Sequence, residues 1–79
     1  MFELLYSNQA LKQLEKSVKE RIIRTLERIR IRPVSHVKKL VSSPYFRLRV
    51  GDYRVILNIK NDEMIILVIE VGHRRNVYK

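Results

Sequence analysis

The chain has no cysteine and no tryptophan, and only two glycines and two prolines among its 79 residues. Without cysteine there is neither a disulfide framework nor a thiolate metal site, which fits a reducing compartment. His36 and His73 are the only histidines, too few to form a zinc site by themselves. No run approaches the ~18 consecutive apolar residues that a membrane span requires, and Met1–Tyr6 lacks the flanks of a signal peptide. Repeats, linkers and low-complexity segments are missing as well. These absences predict a soluble, cytoplasmic, single domain over residues 1–79, with no membrane partner and room for one modest core.

Acidic residues are also scarce: 8 Asp and Glu stand against 17 Lys and Arg, a net charge of +9. The excess lies in residues 7–50 and again after residue 71, whereas 51–71 carries a small acidic balance. Two readings of such a balance stand side by side. It suits binding to nucleic acid or an acidic protein through counterion release and steering, and it equally suits a merely soluble basic surface.

Hydropathy patterning gives the order of elements. Phe2–Tyr6 alternates and reads as a short first strand. Ser7 is placed to cap a helix, after which Leu11, Leu14, Val18, Ile22, Leu26 and Ile29 recur at helical spacing. Ser17-Val18-Lys19-Glu20 has the form of a capping box, so the pattern predicts a helical hairpin broken near Lys16-Ser17. Pro33 disfavours helical geometry at Arg32 and ends the second helix. Val34–Ser43 reads as a basic connection. Three strands are then expected, Tyr45–Val50, Tyr53–Lys60 and Met64–Val71, the last so apolar that it suits a strand covered on both faces. The result is an α+β domain, β-α-α-β-β-β: an N-terminal strand, a helical hairpin and a three-stranded antiparallel meander in one sheet, with the helices on one face.

Alternation on both sides of Gly51-Asp52 fixes the register of the first hairpin. A two-residue turn with glycine first suits type II′ geometry. It sets Val50 opposite Tyr53, Arg49 opposite Arg54 and Arg47 opposite Ile56. Phe46, Leu48, Val50, Tyr53, Val55 and Leu57 share one face, and Arg47, Arg49 and Arg54 share the other. Like charges placed opposite one another destabilise a sheet. Three guanidiniums gathered on a face left open by the helices therefore point to an anion, with phosphate favoured by the planar guanidinium fork.

The tail Val71-Gly72-His73-Arg74-Arg75-Asn76-Val77-Tyr78-Lys79 brings more basic and aromatic groups to the rim of the sheet. FRLRVGDYRVIL (46–57), an apolar strand and VGHRRNVY (71–78) together resemble the RelE/ParE superfamily of toxin–antitoxin toxins, closest to the RelE branch. The similarity extends over essentially the whole chain in the order and lengths of its elements. It implies a RelE-like fold and a ribosome-dependent mRNA endonuclease, or mRNA interferase, that inhibits translation. The 2′-hydroxyl attacks the adjacent phosphate without a metal or other cofactor. It also implies a cognate RelB-like antitoxin, a complex that binds operator DNA through the antitoxin, and contacts to the ribosome and mRNA. By position, Arg47 and Arg49 match the basic pair before the turn, Arg54 the arginine after it, Arg74 the arginine after Val-Gly, and Tyr78 the tyrosine near the end. The sequence departs from the pattern in carrying arginine where some members have lysine, and in ending without a further C-terminal helix.

Arginine is effectively never deprotonated, so Arg47, Arg49, Arg54 and Arg74 can grip and neutralise a phosphate but cannot act as a base. Proton transfer falls to His73 or Tyr78. For His73 the alternative is a hydrogen bond that pins the tail, and for Tyr78 it is packing or stacking on a base. Lys38, Lys39 and Arg75 are candidate RNA-backbone contacts, and for the two lysines a solvated loop is the equal alternative. His36 reads as a surface residue, and Glu70 as the one carboxylate near the basic rim. No Gly-rich phosphate loop, carboxylate cluster or nucleophile–histidine set supports another enzyme class. Two rival readings remain: a ParE-like inhibitor of DNA gyrase, in which the same residues are binding contacts, and an inactive member that only binds its partner.

Overall fold

The computed structural model describes residues 1–73. Five strands form one sheet: β1 (Glu3–Tyr6), β2 (Lys38–Lys39), β3 (Phe46–Val50), β4 (Tyr53–Lys60) and β5 (Ile65–His73), in the spatial order β1-β5-β4-β3-β2. β1 runs parallel to β5, and the other neighbours are antiparallel. One helix, α1 (Lys16–Ile29), covers one face. The α+β class and the β3-β4-β5 meander are as the sequence led us to expect.

The helical hairpin is not. Residues 8–13 form successive turns rather than a first helix. Their amides reach only three residues back and weakly, with Ala10 N to Ser7 O at 3.2 Å, Lys12 N to Gln9 O at 3.3 Å and Leu14 N to Leu11 O at 3.4 Å. Such turns bring Ala10, Leu11 and Leu14 against the core without an α-helix, and a helix this short is marginal in water. Ser7 does not cap. Its hydroxyl donates to the Ile69 carbonyl at 2.8 Å and its amide to Val68 O at 2.9 Å, tying the end of β1 to β5. The Ser17 box lies within two residues of the true helix start, yet the N-cap is Glu15, in extended geometry and without a side-chain cap bond. Helix α1 forms because Ile22, Leu26 and Ile29 fall on one face at helical spacing, and all three are fully buried. It stops before Pro33, with Arg32 at φ −138° as a residue preceding proline requires.

Beyond α1, the expected open connection is more ordered than its composition suggests. Buried Pro33 starts a short 3₁₀ turn (Pro33–His36), and β2 then adds two lysines to the sheet edge. Lys38 pairs with Arg47 and Lys39 with Phe46. At the β3–β4 turn, Gly51 has φ +59° and Asp52 stays at negative φ, the type II′ arrangement. The register is as expected: Phe46↔Leu57, Arg47↔Ile56, Leu48↔Val55, Arg49↔Arg54 and Val50↔Tyr53.

The core lies between α1 and one sheet face, built from Ile22, Leu26, Ile29, Leu48, Val50, Val55, Leu57, Ile66 and Val68 with Phe2, Ala10 and Ile59. One irregularity decides which side chains of β5 enter it. The register steps from Leu57↔Val68 to Ile56↔Glu70, leaving Ile69 as an extra, bulged residue. Strict alternation after Val68 would bury Glu70. The bulge turns Glu70 outward and Val71 inward, against the core. The outer face of β5 is only half covered: Ile65, Leu67 and Ile69 are each partly exposed, where a fully buried strand was expected.

Candidate functional site

The sheet face opposite α1 carries the basic cluster. Cross-strand pairing places Lys38 beside Arg47, and Arg49 directly opposite Arg54, all on this open side. Val50 and Tyr53 close the two-residue turn, so Arg49 and Arg54 form the next pair, with Cβ atoms ~4.5–5.5 Å apart. Lys38 and Arg49 are exposed, whereas Arg47 and Arg54 are half-buried. Ile56, on the same face between Arg47 and Glu70, is only 1% exposed and gives the site an apolar floor. Arg54 Nε is shielded from solvent and has no hydrogen-bond acceptor. Buried polar groups are otherwise nearly always satisfied, so this unpaired nitrogen is a local cost to the fold, and an incoming anion would meet the exposed part of the half-buried side chain instead.

A groove of about 470 Å³ opens beside these residues, lined by Ser35, His36, Val37, Lys38, Arg47 and Arg49. It contains no carboxylate. Glu70 lies on the same face but forms no ion pair with another described residue; Arg30–Glu27, at 2.8 Å, is the one such pair among the described residues. The charge of Lys38, Arg47, Arg49 and Arg54 is thus uncompensated within the described chain. A hollow of about 550 Å³ along α1, lined by Arg21, Arg24, Thr25, Glu27 and Arg28, is larger. Its basic residues are spread along an exposed helix and include a carboxylate, whereas those of the sheet are locked in register, and we place the site on the sheet.

Of the residues expected at the site, the structure brings together Arg47, Arg49, Arg54 and Lys38. It separates two others. Lys39 points to the helix side, with Nζ 6.0 Å from the Phe46 ring centroid. His73 stands opposite Tyr53 and meets its ring edge-on, centroids 5.7 Å apart, also on the helix side. The Ile69 bulge is the cause, because it reverses the facing of every residue of β5 after it. Arg74, Arg75 and Tyr78 lie outside the described residues. His36, read from sequence as a surface residue, is exposed but shares the groove with Arg47 and Arg49. The only sequence signal for it was Pro33, which fixes the turn that carries it.

Arginines cannot move protons, so this constellation can bind, orient and neutralise a phosphodiester and can stabilise added negative charge on it. Among the described residues no cluster of three or more metal-ligating side chains forms, and no helix is long and apolar enough to cross a membrane.

Comparison with known proteins identifies the family and the fold. The family model described as the ParE toxin of type II toxin–antitoxin systems (parDE) matches residues 4–78. Among solved structures, a chain of the RelBE2 toxin–antitoxin complex of Mycobacterium tuberculosis superposes with a TM-score of 0.84 at 19% identity, covering 92% of this chain and 98% of that one. A chain of the archaeal RelE–RelB complex of Pyrococcus horikoshii gives 0.78 at 23% identity, covering 96% and 98%. The intact RelBE complex of E. coli gives 0.74 at 25% identity, covering 92% and 96%. No curated protein matches the sequence.

Proposed function

The chain belongs to the ParE toxin family of type II toxin–antitoxin systems, and for this toxin we propose, from the basic sheet face, the activity of a ribosome-dependent mRNA interferase. The observation that carries the reading is the Arg49–Arg54 pair, locked in register on an open face and without a carboxylate partner among the described residues. In this reading the scissile phosphate lies between those two guanidiniums. Arg47 and Lys38 follow the RNA backbone along the groove. The 2′-hydroxyl loses its proton and attacks the adjacent phosphorus, the bond to the 5′-oxygen breaks, and that oxygen is protonated as it leaves. The products end in a 2′,3′-cyclic phosphate and a 5′-hydroxyl, and no metal takes part. Negative charge grows on the non-bridging oxygens at the crowded transition state, where fixed cationic donors stabilise it most. Arg74 completes the phosphate grip, Arg75 adds contacts to RNA, Lys39 on the helix side takes no part, and Tyr78 transfers a proton. His73, held against Tyr53 on the helix side at the end of β5, has a positioning role. The structural neighbours are toxin–antitoxin complexes, and a cognate RelB-like antitoxin is the natural partner, one that would carry any operator-DNA binding.

Purified protein added to translating ribosomes tests this. The expected result is mRNA cut within A-site codons, with 2′,3′-cyclic phosphate ends and no effect of EDTA. The matching family model is that of ParE, and this favours one second reading, inhibition of DNA gyrase. Intact message together with blocked supercoiling would decide for it.

A further inference from the structure

His36 is the one imidazole lining the groove, and histidine is the side-chain type that ordinarily changes charge near neutral pH. The 3₁₀ turn that carries it is fixed at both ends. Pro33 is fully buried before it, and Val37 packs against the core after it. Lys38 is then held in register by pairing with Arg47. His36 therefore occupies a defined wall of the groove beside Lys38, Arg47 and Arg49. The charged groups facing it are Lys38 from β2 and Arg47 and Arg49 from β3, all basic. Arg54 and the carboxylate of Glu70 lie further along the same sheet face. Lysine and arginine keep their charge throughout the range in which histidine titrates.

We infer that His36 is a proton-gated ligand for the RNA backbone, a fourth cation that the groove gains only when the imidazole is protonated. The inference rests on the reading of this groove as a phosphodiester site. Its sign follows from linkage: an anion bound beside His36 favours the imidazolium, so binding raises the histidine's affinity for its proton. By reciprocity, protonation tightens binding. Affinity for RNA therefore rises as pH falls through the histidine range, by about threefold to fivefold, the size expected of one solvent-accessible charge pair.

The test uses a 2′-O-methyl RNA oligonucleotide, which cannot be cleaved, titrated into the full-length protein from about pH 8 to about pH 5.5 at fixed ionic strength. The wild type should bind about threefold to fivefold tighter at the acidic end, and His36→Gln should bind equally at both ends, near the wild-type value at about pH 8. In parallel, the His36 ring protons followed by NMR should show a titration midpoint moved upward by about 0.5 pH when the oligonucleotide is present. A wild type with no pH dependence, a His36→Gln variant that keeps it, or an unmoved midpoint overturns the inference. Ribosomal cleavage separates this from the functional reading. If the protein cuts mRNA but shows no His36-dependent slope, only the inference falls. If it shows the slope but cuts nothing, the inference stands and the nuclease reading falls. Failure to bind RNA at any pH, together with uncut mRNA on ribosomes, sinks both.

Discussion

Replacing Arg54 with methionine should make the fold more stable while disabling the toxin. The guanidinium sits directly across from that of Arg49, and its Nε is shielded from water without an acceptor. For heads ~7 Å apart, the repulsion is about 0.6 kcal/mol at the dielectric of water and about 2.4 kcal/mol at an effective dielectric of 20. An unsatisfied buried donor costs a further ~1–3 kcal/mol. Methionine keeps most of the apolar stem over Ile56 and removes both penalties. Offsetting some lost packing, the net expectation is a gain of about 1 kcal/mol, read from urea midpoints at unchanged slope. The gain should shrink as salt screens the pair. Function should move the other way, because losing one well-aimed donor raises the barrier by ~2.7–4 kcal/mol, or about 10²–10³ in the rate of mRNA cleavage on ribosomes. A variant that is less stable by 1 kcal/mol or more, or that cleaves at the wild-type rate, would refute the reasoning.

Gly51→Ala should cost about 1–2 kcal/mol in chemical denaturation, since the turn needs φ +59° there. The Arg21 guanidinium, 2.8 Å from the added Cβ, can swing aside and adds little. Leu26→Ala, at a fully buried position of α1, should cost ~2–5 kcal/mol by the same measurement. Tyr6→Phe should be neutral or stabilising by about 1 kcal/mol, because the Tyr6 hydroxyl is buried without a partner. Burial pushes the Tyr6 phenol above its ordinary value; Glu27 adds to the rise and Arg30 opposes it. Its neutral form is therefore favoured by folding. That contribution is fully present below pH 10, the unfolded value, and is lost as pH rises through the folded value. Stability should fall in that alkaline window in the wild type, and by less in Tyr6→Phe. Equal alkaline losses in the two proteins would contradict this.

The parts of this fold that were legible in the sequence are those set by local periodicity. Alternation around Gly51-Asp52 fixes the β3–β4 register, because a slip of one residue would expose Leu48, Val50 and Val55 and bury Arg49. The spacing of Ile22, Leu26 and Ile29 marks α1 in the same way. Leu11 and Leu14 misled, because successive three-residue turns present the same stripe as a helix over so short a span. Ser7 misled because its hydroxyl is taken by Ile69, 62 residues away, a partner that no local pattern announces. The candidate site divides along the same line. Arg47, Arg49 and Arg54 followed from the hairpin register alone. The splitting of Lys38 from Lys39 depended on β2, a two-residue strand held by its partners rather than by its own preferences. The facing of His73 depended on the bulge at Ile69, which arises because Val71, not Glu70, must enter the core. His36 entered the groove through the Pro33 turn, a matter of tertiary placement.

The most direct measurement is an NMR titration of the arginine Nε–H groups with a non-cleavable RNA oligonucleotide. If the open sheet face grips a phosphodiester, the guanidiniums of Arg47, Arg49 and Arg54 receive it, and their Nε–H signals should shift together as the oligonucleotide is added. Changes confined to Arg21, Arg24 and Arg28 on the helix, with Arg54 unmoved at saturation, would contradict the placement of the site.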